Sequence, residues 1–307
     1  MINLQTNDLL VEGLASLAQT FPPLIKEMLR PTMSLTRQVR LACFDAFSYL
    51  ATHELTVDQV TTAQLPELLA LAAQLNPSSF QPAHLNPGVV ANDKANSFVA
   101  TYLMNQFVHH LSLVGLPSAA VEMATVTGGD FMIAQIQRLQ LNFNTRLKVV
   151  DYLNDLKVRP GLLNQLSAEL SVYQAKASED LINLAGQVGE SLGVSSAIVA
   201  ELEEDCKNPE SFISQVTAGQ YPLPMLFAMQ AHREWFDHFL HSKHRPSKGS
   251  FDRAYQLTKE SFTAASQIVV DQLKQVALDI RLFPSEKCRR KLQEVIDELT
   301  KRANKFA

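Results

Sequence analysis

Apolar residues recur at intervals of three and four along almost the whole chain, the spacing that gives a helix one buried face. No alternating run is long enough for a strand. The pattern therefore predicts an all-α fold, an irregular multi-helix bundle of about a dozen helices with no sheet. The periodic segments fall near 4–19, 22–30, 34–53, 65–75, 94–114, 118–126, 130–157, 161–192, 195–206, 210–219, 223–243, 251–282 and 285–304. Pro22, Pro31, Pro66, Pro77, Pro117, Pro160, Pro209, Pro222 and Pro284 punctuate them, because proline starts a helix easily and continues one badly. Thr56 with Gln59 reads as a capping box, and Asn208 before Pro209 as an N-cap and first turn. The segment 161–192 exceeds an ordinary helix and is expected to break or bend near Gly186 or Gly189.

Residues 76–93, NPSSFQPAHLNPGVVAND, carry three prolines and no period. They read as a linker or wrapped loop between an N-terminal helical unit, 1–75, and a main bundle, 94–307, with basic C-terminal helices. No fixed-period repeat argues for a solenoid.

Composition narrows the class. Of 307 residues 46% are hydrophobic, enough for a substantial core, and 27 Lys+Arg against 31 Asp+Glu leave a net charge of −4. That balance argues against an obligate nucleic-acid binder, so nucleic acid is not an expected partner. Cys43, Cys206 and Cys288 lie far apart with no CxxC, which fits a reducing compartment. The first residues place Asp8 and Glu12 among leucines where a signal peptide needs a basic start and an apolar run. No stretch reaches the roughly 18 apolar residues of a spanning helix. A cytoplasmic protein with no transmembrane segment is the expectation, although secretion without a cleaved signal leaves no mark on a sequence.

Candidate chemistry is concentrated in HREWFDHFLHSKHRP, 232–246, which holds four histidines in thirteen positions. On a helical wheel Ala228, Met229, Trp235, Phe236, Phe239 and Leu240 form the apolar face, and Glu234, His238, His241 and Arg245 the opposite one. Solvation is the ordinary role of such a face. Glu234, His238 and His241 also present a carboxylate and two imidazoles at ligand spacing, so a divalent metal is the cofactor this stripe would take. Helical di-metal bundles use similar inward ligands, but their Glu-x-x-His motif occurs nowhere here. His232 falls on the apolar face, as does His110 on the stripe Val99, Leu103, Phe107, His110, Val114. The pair is expected either to be satisfied in the core or to line an internal polar pocket.

Asp151 and Asp155 stand one turn apart in NTRLKVVDYLNDLK. The pair is similar to those with which magnesium-dependent prenyl-transferring and terpene-forming enzymes, all-helical and of similar length, hold diphosphate between facing helices. Those sites use a second acidic cluster and an aspartate-rich or Asn/Ser/Glu signature. This sequence has neither, and Lys148 suggests a surface ion pair with Asp151 instead. No GxxxxGK[ST] or GxGxxG occurs. Gly128-Gly129 before Asp130 reads as a hinge and N-cap, and Gly186, Gly189 and Gly193 as close helix packing. Cys43 and Cys288 lie on apolar stripes, while Cys206 follows three acids and is a poor nucleophile.

Residues 251–307 hold 11 basic and 8 acidic side chains, leaving −7 on the rest. Cys288, Leu292, Val295, Leu299 and Phe306 make a stripe that would dock on its own domain, on a partner helix, or on a second copy as a homodimer. Arg245, Lys248, Arg289, Arg290 and Lys291 would form a positive patch for an anion or partner. With no complete catalytic constellation, the leading expectation is a non-catalytic binding protein. A protein partner comes first and a phosphorylated or anionic ligand second, engaged through helical grooves and the basic C-terminal surface. The alternative is a helical-bundle enzyme or ligand-binding protein with an internal histidine-lined pocket, metal-dependent in one version.

Overall fold

The structure is a computed structural model that describes residues 6–29, 32–51, 55–75, 87–241 and 246–307. Among these residues there are fifteen α-helices and no strand, as the periodicity predicts. No described helix is long and apolar enough to cross a membrane.

Helix α1 (Asp8–Ala18) is capped by Asn7, and α2 (Pro23–Met28) is opened by proline. Helix α3 (Leu35–Ser48) is buried on nearly every side, with Val39, Cys43 and Phe47 in the main core. Helix α4 (Val57–Leu75) starts eight residues earlier than Pro66 suggests. The Thr56–Gln59 capping box starts it, Thr56 N–H donating to Gln59 at 2.9 Å and Gln59 N–H to Thr56 at 3.2 Å. Burial of Leu65, Leu68 and Leu69 then carries the helix through the proline. Helix α5 (Pro87–Leu111) begins inside the stretch expected to be irregular, and 76–86 lie outside the described residues.

Helix α6 (Ser118–Leu141) runs unbroken through Gly128-Gly129, where a hinge was expected. A Cβ on Gly128 would meet the Phe107 ring at 3.0 Å, so this glycine serves close packing. The real break comes at 142–148, where Phe143 takes φ +61° and its N–H donates to the Gly219 carbonyl at 2.8 Å. Then follow α7 (Val149–Leu156), a π-helical turn (Lys157–Gly161) and α8 (Leu162–Gln174).

Helix α9 (Glu179–Lys207) passes straight through Gly186, Gly189 and Gly193, correcting the expected bend; the chain breaks at 175–178 instead, with Lys176 at φ +54°. These glycines let α9 pack directly on α8 and the π turn. A Cβ on Gly189 would lie 2.7 Å from the Asn164 carbonyl oxygen, and one on Gly193 2.6 Å from that of Pro160. The remaining helices are α10 (Pro209–Thr217), α11 (Leu223–Ala231), α12 (Arg233–Leu240), α13 (Lys248–Lys259), α14 (Phe262–Asp279) and α15 (Glu286–Ala303).

The core has two main parts. One joins α3 and α9 to the C-terminal helices through residues such as Phe47, Leu192, Val269 and Leu292. The other joins α1, α4, α5 and α6 to Leu163, Leu166 and Leu170 of α8. Both parts draw on α8, and its N-terminal end is where the chain leaves internal space.

Candidate functional site

The space lies around the π turn. Proline at 160 has no N–H to give the preceding turn, and the wider turn carries Arg159 into the gap between α6, α7 and α9. A cavity of about 290 Å³ opens there, lined by Arg138 of α6, Tyr152 of α7, Arg159, Glu201 of α9, Gln215 of α10 and Tyr221 of the following loop. A second cavity of about 330 Å³ shares Arg159, Pro160 and Gln220 with the first. Its wall is more apolar, with Ala70 and Ala73 of α4, Phe131 of α6 and Leu163 of α8, and Arg40 of α3 at one side. The first is a cationic head space, and the second an annex in which these apolar groups alternate with Thr36, Gln74 and Gln135.

Charges in the head space are unevenly paired. Asp155, buried, accepts two hydrogen bonds from Arg159, Nε donating to Oδ1 at 2.8 Å and Nη2 to Oδ2. Arg138 Nη1 stands 3.9 Å from the same carboxylate, and its guanidinium lies 5.9 Å from the Tyr152 ring centre. Glu201 is engaged through both oxygens, accepting from the Leu223 N–H at 2.8 Å and from the Tyr152 hydroxyl. Burial pushes the Glu201 carboxyl up and, with the Glu201 charge beside it, holds the Tyr152 phenol well above its ordinary range. One turn on, burial and the Glu201 charge push Asp205 up to about 8. Burial alone pushes Tyr221 up to about 12. On the annex side Glu67 accepts from Arg40 at 2.7 and 3.1 Å and faces Arg37 at 3.5 Å.

A divalent metal does not fit these carboxylates. Asp155 is paired with Arg159, and Glu201 accepts from Tyr152 and Leu223, while Asp151 is exposed on α7 and accepts the Lys148 main-chain N–H at 3.4 Å. No group of three His, Cys, Asp or Glu among the described residues is placed to hold a metal, and Glu54 is the one acid outside them.

The residues singled out from the sequence lie elsewhere. His232 is exposed at the junction of α11 and α12 with φ −124° and ψ +47°, so the wheel that placed it on the apolar face does not apply across the break. His110 packs on α5, 5.2 Å from the His109 ring, with a buried Nε2 that lacks a partner and a pKa lowered by burial and by His109. The shared histidine pocket therefore does not form. Glu234, His238 and His241 are exposed, and His241 contacts the Asp237 carbonyl at 2.9 Å and Thr145 at 3.4 Å. Lys248 and Arg290 are exposed, and Arg245 lies outside the described residues. Arg289 donates to the Phe283 and Pro284 carbonyls, and Lys291 to Asp45 at 2.7 Å, so both serve the fold. Arg138 did leave a trace in the sequence. It continues the buried stripe Ala124, Gly128, Phe131 and Ala134 of α6, an arginine where an apolar residue belongs.

No family model and no curated protein matches the chain. Solved structures do match it, over nearly its whole length. Geranylgeranyl pyrophosphate synthase from Lactobacillus brevis ATCC 367 superposes with a TM-score of 0.81 at 14% identity, covering 96% of each chain. Heptaprenyl diphosphate synthase from Staphylococcus aureus gives 0.74 at 14% identity, over 95% of this chain and 98% of that one. A polyprenyl synthase from Caulobacter crescentus CB15, complexed with calcium and isoprenyl diphosphate, gives 0.72 at 16%, over 96% and 98%. These matches overturn the expectation of a non-catalytic interaction protein with a protein partner in first place, because the fold shared over 95–96% of the chain is that of synthases. The similarity to prenyl-transfer enzymes, which a missing acidic signature confined to one helix, extends over the architecture: this chain has the all-α fold of the polyprenyl diphosphate synthases.

Proposed function

We propose that this chain binds an isoprenyl diphosphate across the two cavities that share Arg159, Pro160 and Gln220, as a helical-bundle ligand-binding protein or enzyme of that substrate class. The observation that carries the reading is the amphipathic division of the cleft. Arg138 and Arg159 face the head space, and Ala70, Ala73, Phe131 and Leu163 line the annex that adjoins it. A diphosphate ester with a branched hydrocarbon tail has that same division, and the neighbours in fold are synthases of such compounds. Burial of the tail supplies affinity, at about 0.8 kcal/mol per methylene removed from water, and the head group supplies orientation. The cytoplasm is the compartment we assign.

A catalytic role has one feature in its favour. The Tyr152–Glu201 pair lines the head space and holds a proton between a phenol and a buried carboxyl, where an acid–base step would need one.

Isothermal titration with farnesyl diphosphate, farnesol and inorganic pyrophosphate tests the reading. The ester should bind at least about tenfold more tightly than either fragment, since each fragment fills one cavity. Equal affinity for ester and pyrophosphate would remove the hydrocarbon annex from the argument. Incubation with an allylic and a C5 isoprenyl diphosphate, with products separated by chromatography, then distinguishes enzyme from binder.

A further inference from the structure

Three side chains around the head space carry donors with no acceptor among the described residues. Arg138 is 6% exposed, yet it makes no hydrogen bond to any described residue, and its nearest counter-charge is 3.9 Å away. A guanidinium carries five N–H donors, and those of Arg138 open onto the cavity rather than onto a protein acceptor. Tyr221, 3% exposed, likewise offers a hydroxyl with no hydrogen-bond partner among the described residues. Arg159 is engaged with Asp155 through Nε and Nη2, and its Nη1 has no partner among the described residues. These three groups come from α6, the π turn and the loop before α11, and all line one cavity of about 290 Å³.

The charge balance agrees. Two arginines share the single carboxylate of Asp155, leaving one positive charge at that end of the cavity. The other lining carboxyl, Glu201, accepts one hydrogen bond at each oxygen, from the Leu223 N–H and the Tyr152 hydroxyl. Both carboxylates are already held by protein donors, and no group of three His, Cys, Asp or Glu among the described residues gathers around a cation position. A polyphosphate oxyanion instead would complete the unused donors, and paired arginines match its geometry.

We infer that the head group is a diphosphate held directly by Arg138, Arg159 and Tyr221, with no bridging divalent metal. This inference deepens the proposed function and rests on it for the identity of the tail, while the anion site stands on its own residues. It sets the chain apart in chemistry from the neighbour whose structure contains calcium with isoprenyl diphosphate.

The test is calorimetric titration of the full chain with inorganic pyrophosphate and with farnesyl diphosphate, each in EDTA and in excess Mg²⁺. Affinities should agree within about threefold between the two buffers for each ligand. Arg138→Gln should weaken both ligands by at least tenfold, about 1.4 kcal/mol. Its thermal midpoint, measured alongside, establishes that the variant is folded. Arg138→Lys, which keeps the charge and loses the fork, should fall between them. Binding of either ligand only with Mg²⁺ overturns the direct site and leaves the isoprenyl reading intact. Pyrophosphate binding in EDTA that a prenyl tail does not strengthen leaves the anion site and overturns that reading. No binding in either buffer overturns both, and unchanged affinity in Arg138→Gln removes this cluster as the site.

Discussion

Replacing Asp205 by asparagine isolates one charge behind the cleft. Asp205 is fully buried; Gln215 donates to its Oδ1 at 3.2 Å, and its Oδ2 has no partner. Burial, with the Glu201 charge added, raises its carboxyl from 3.8 to about 8. In the unfolded chain it titrates as an ordinary carboxylate near pH 4. Below about pH 4 both states hold the proton, so this group gives stability no pH dependence. Between about 4 and 8 the native state keeps a proton that the unfolded state has lost, and stability falls as pH rises, by up to about 1.4 kcal/mol per unit. Above about 8 both states are ionised and the slope vanishes. Asparagine keeps an acceptor for Gln215 and does not titrate. From pH 5 to 7 the wild type should therefore lose about 2–3 kcal/mol relative to Asp205→Asn, which corresponds to roughly 4–10 °C in thermal midpoint. Urea unfolding of both proteins at pH 5, 6 and 7, with matched m-values, measures the difference directly. Parallel pH dependences would refute the reasoning, as would a variant less stable than the wild type at pH 7.

Three further substitutions probe the frame that holds the cleft. Gly189→Ala places a methyl 2.7 Å from the Asn164 carbonyl and should destabilise by about 1–3 kcal/mol or more, read as a drop in the urea midpoint. Glu67→Gln strands Arg37 and Arg40 in the core without a counter-charge; a loss of about 3–5 kcal/mol is expected by thermal denaturation. Lys291→Gln removes the cation that neutralises the buried Asp45 and should cost about 3 kcal/mol by the same measurement. Pyrophosphate affinity in the folded Lys291→Gln protein should stay at the wild-type value, because this lysine serves α3 and α15 rather than the cleft.

The linear sequence determined the helices and most of their faces. Val99, Leu103, Phe107 and Val114 are buried as their spacing requires, Thr56 and Gln59 cap α4, and Gly186, Gly189 and Gly193 mark the closest helix contact. Local rules went wrong where packing outweighed them. Pro66 sits inside α4 and Gly128 inside α6, because the energy of burying a whole face exceeds the cost of one poor helix residue. His232 shows the reverse case, in which a single non-helical residue turned the following wheel and moved a supposed core histidine into solvent.

The cleft was beyond the sequence for a different reason. Arg138, Tyr152, Arg159, Glu201 and Tyr221 span 84 positions and belong to no motif, so nothing local ties them together. Periodicity says that a face is buried, and nothing of its partner. Only the tertiary structure decided what that face is buried against: a gap at the π turn that leaves two arginines around one carboxylate, next to an apolar annex. Spacing within a helix is set by backbone geometry a few residues long, whereas a cavity is set by how separate helices meet, and that depends on contacts a hundred residues apart.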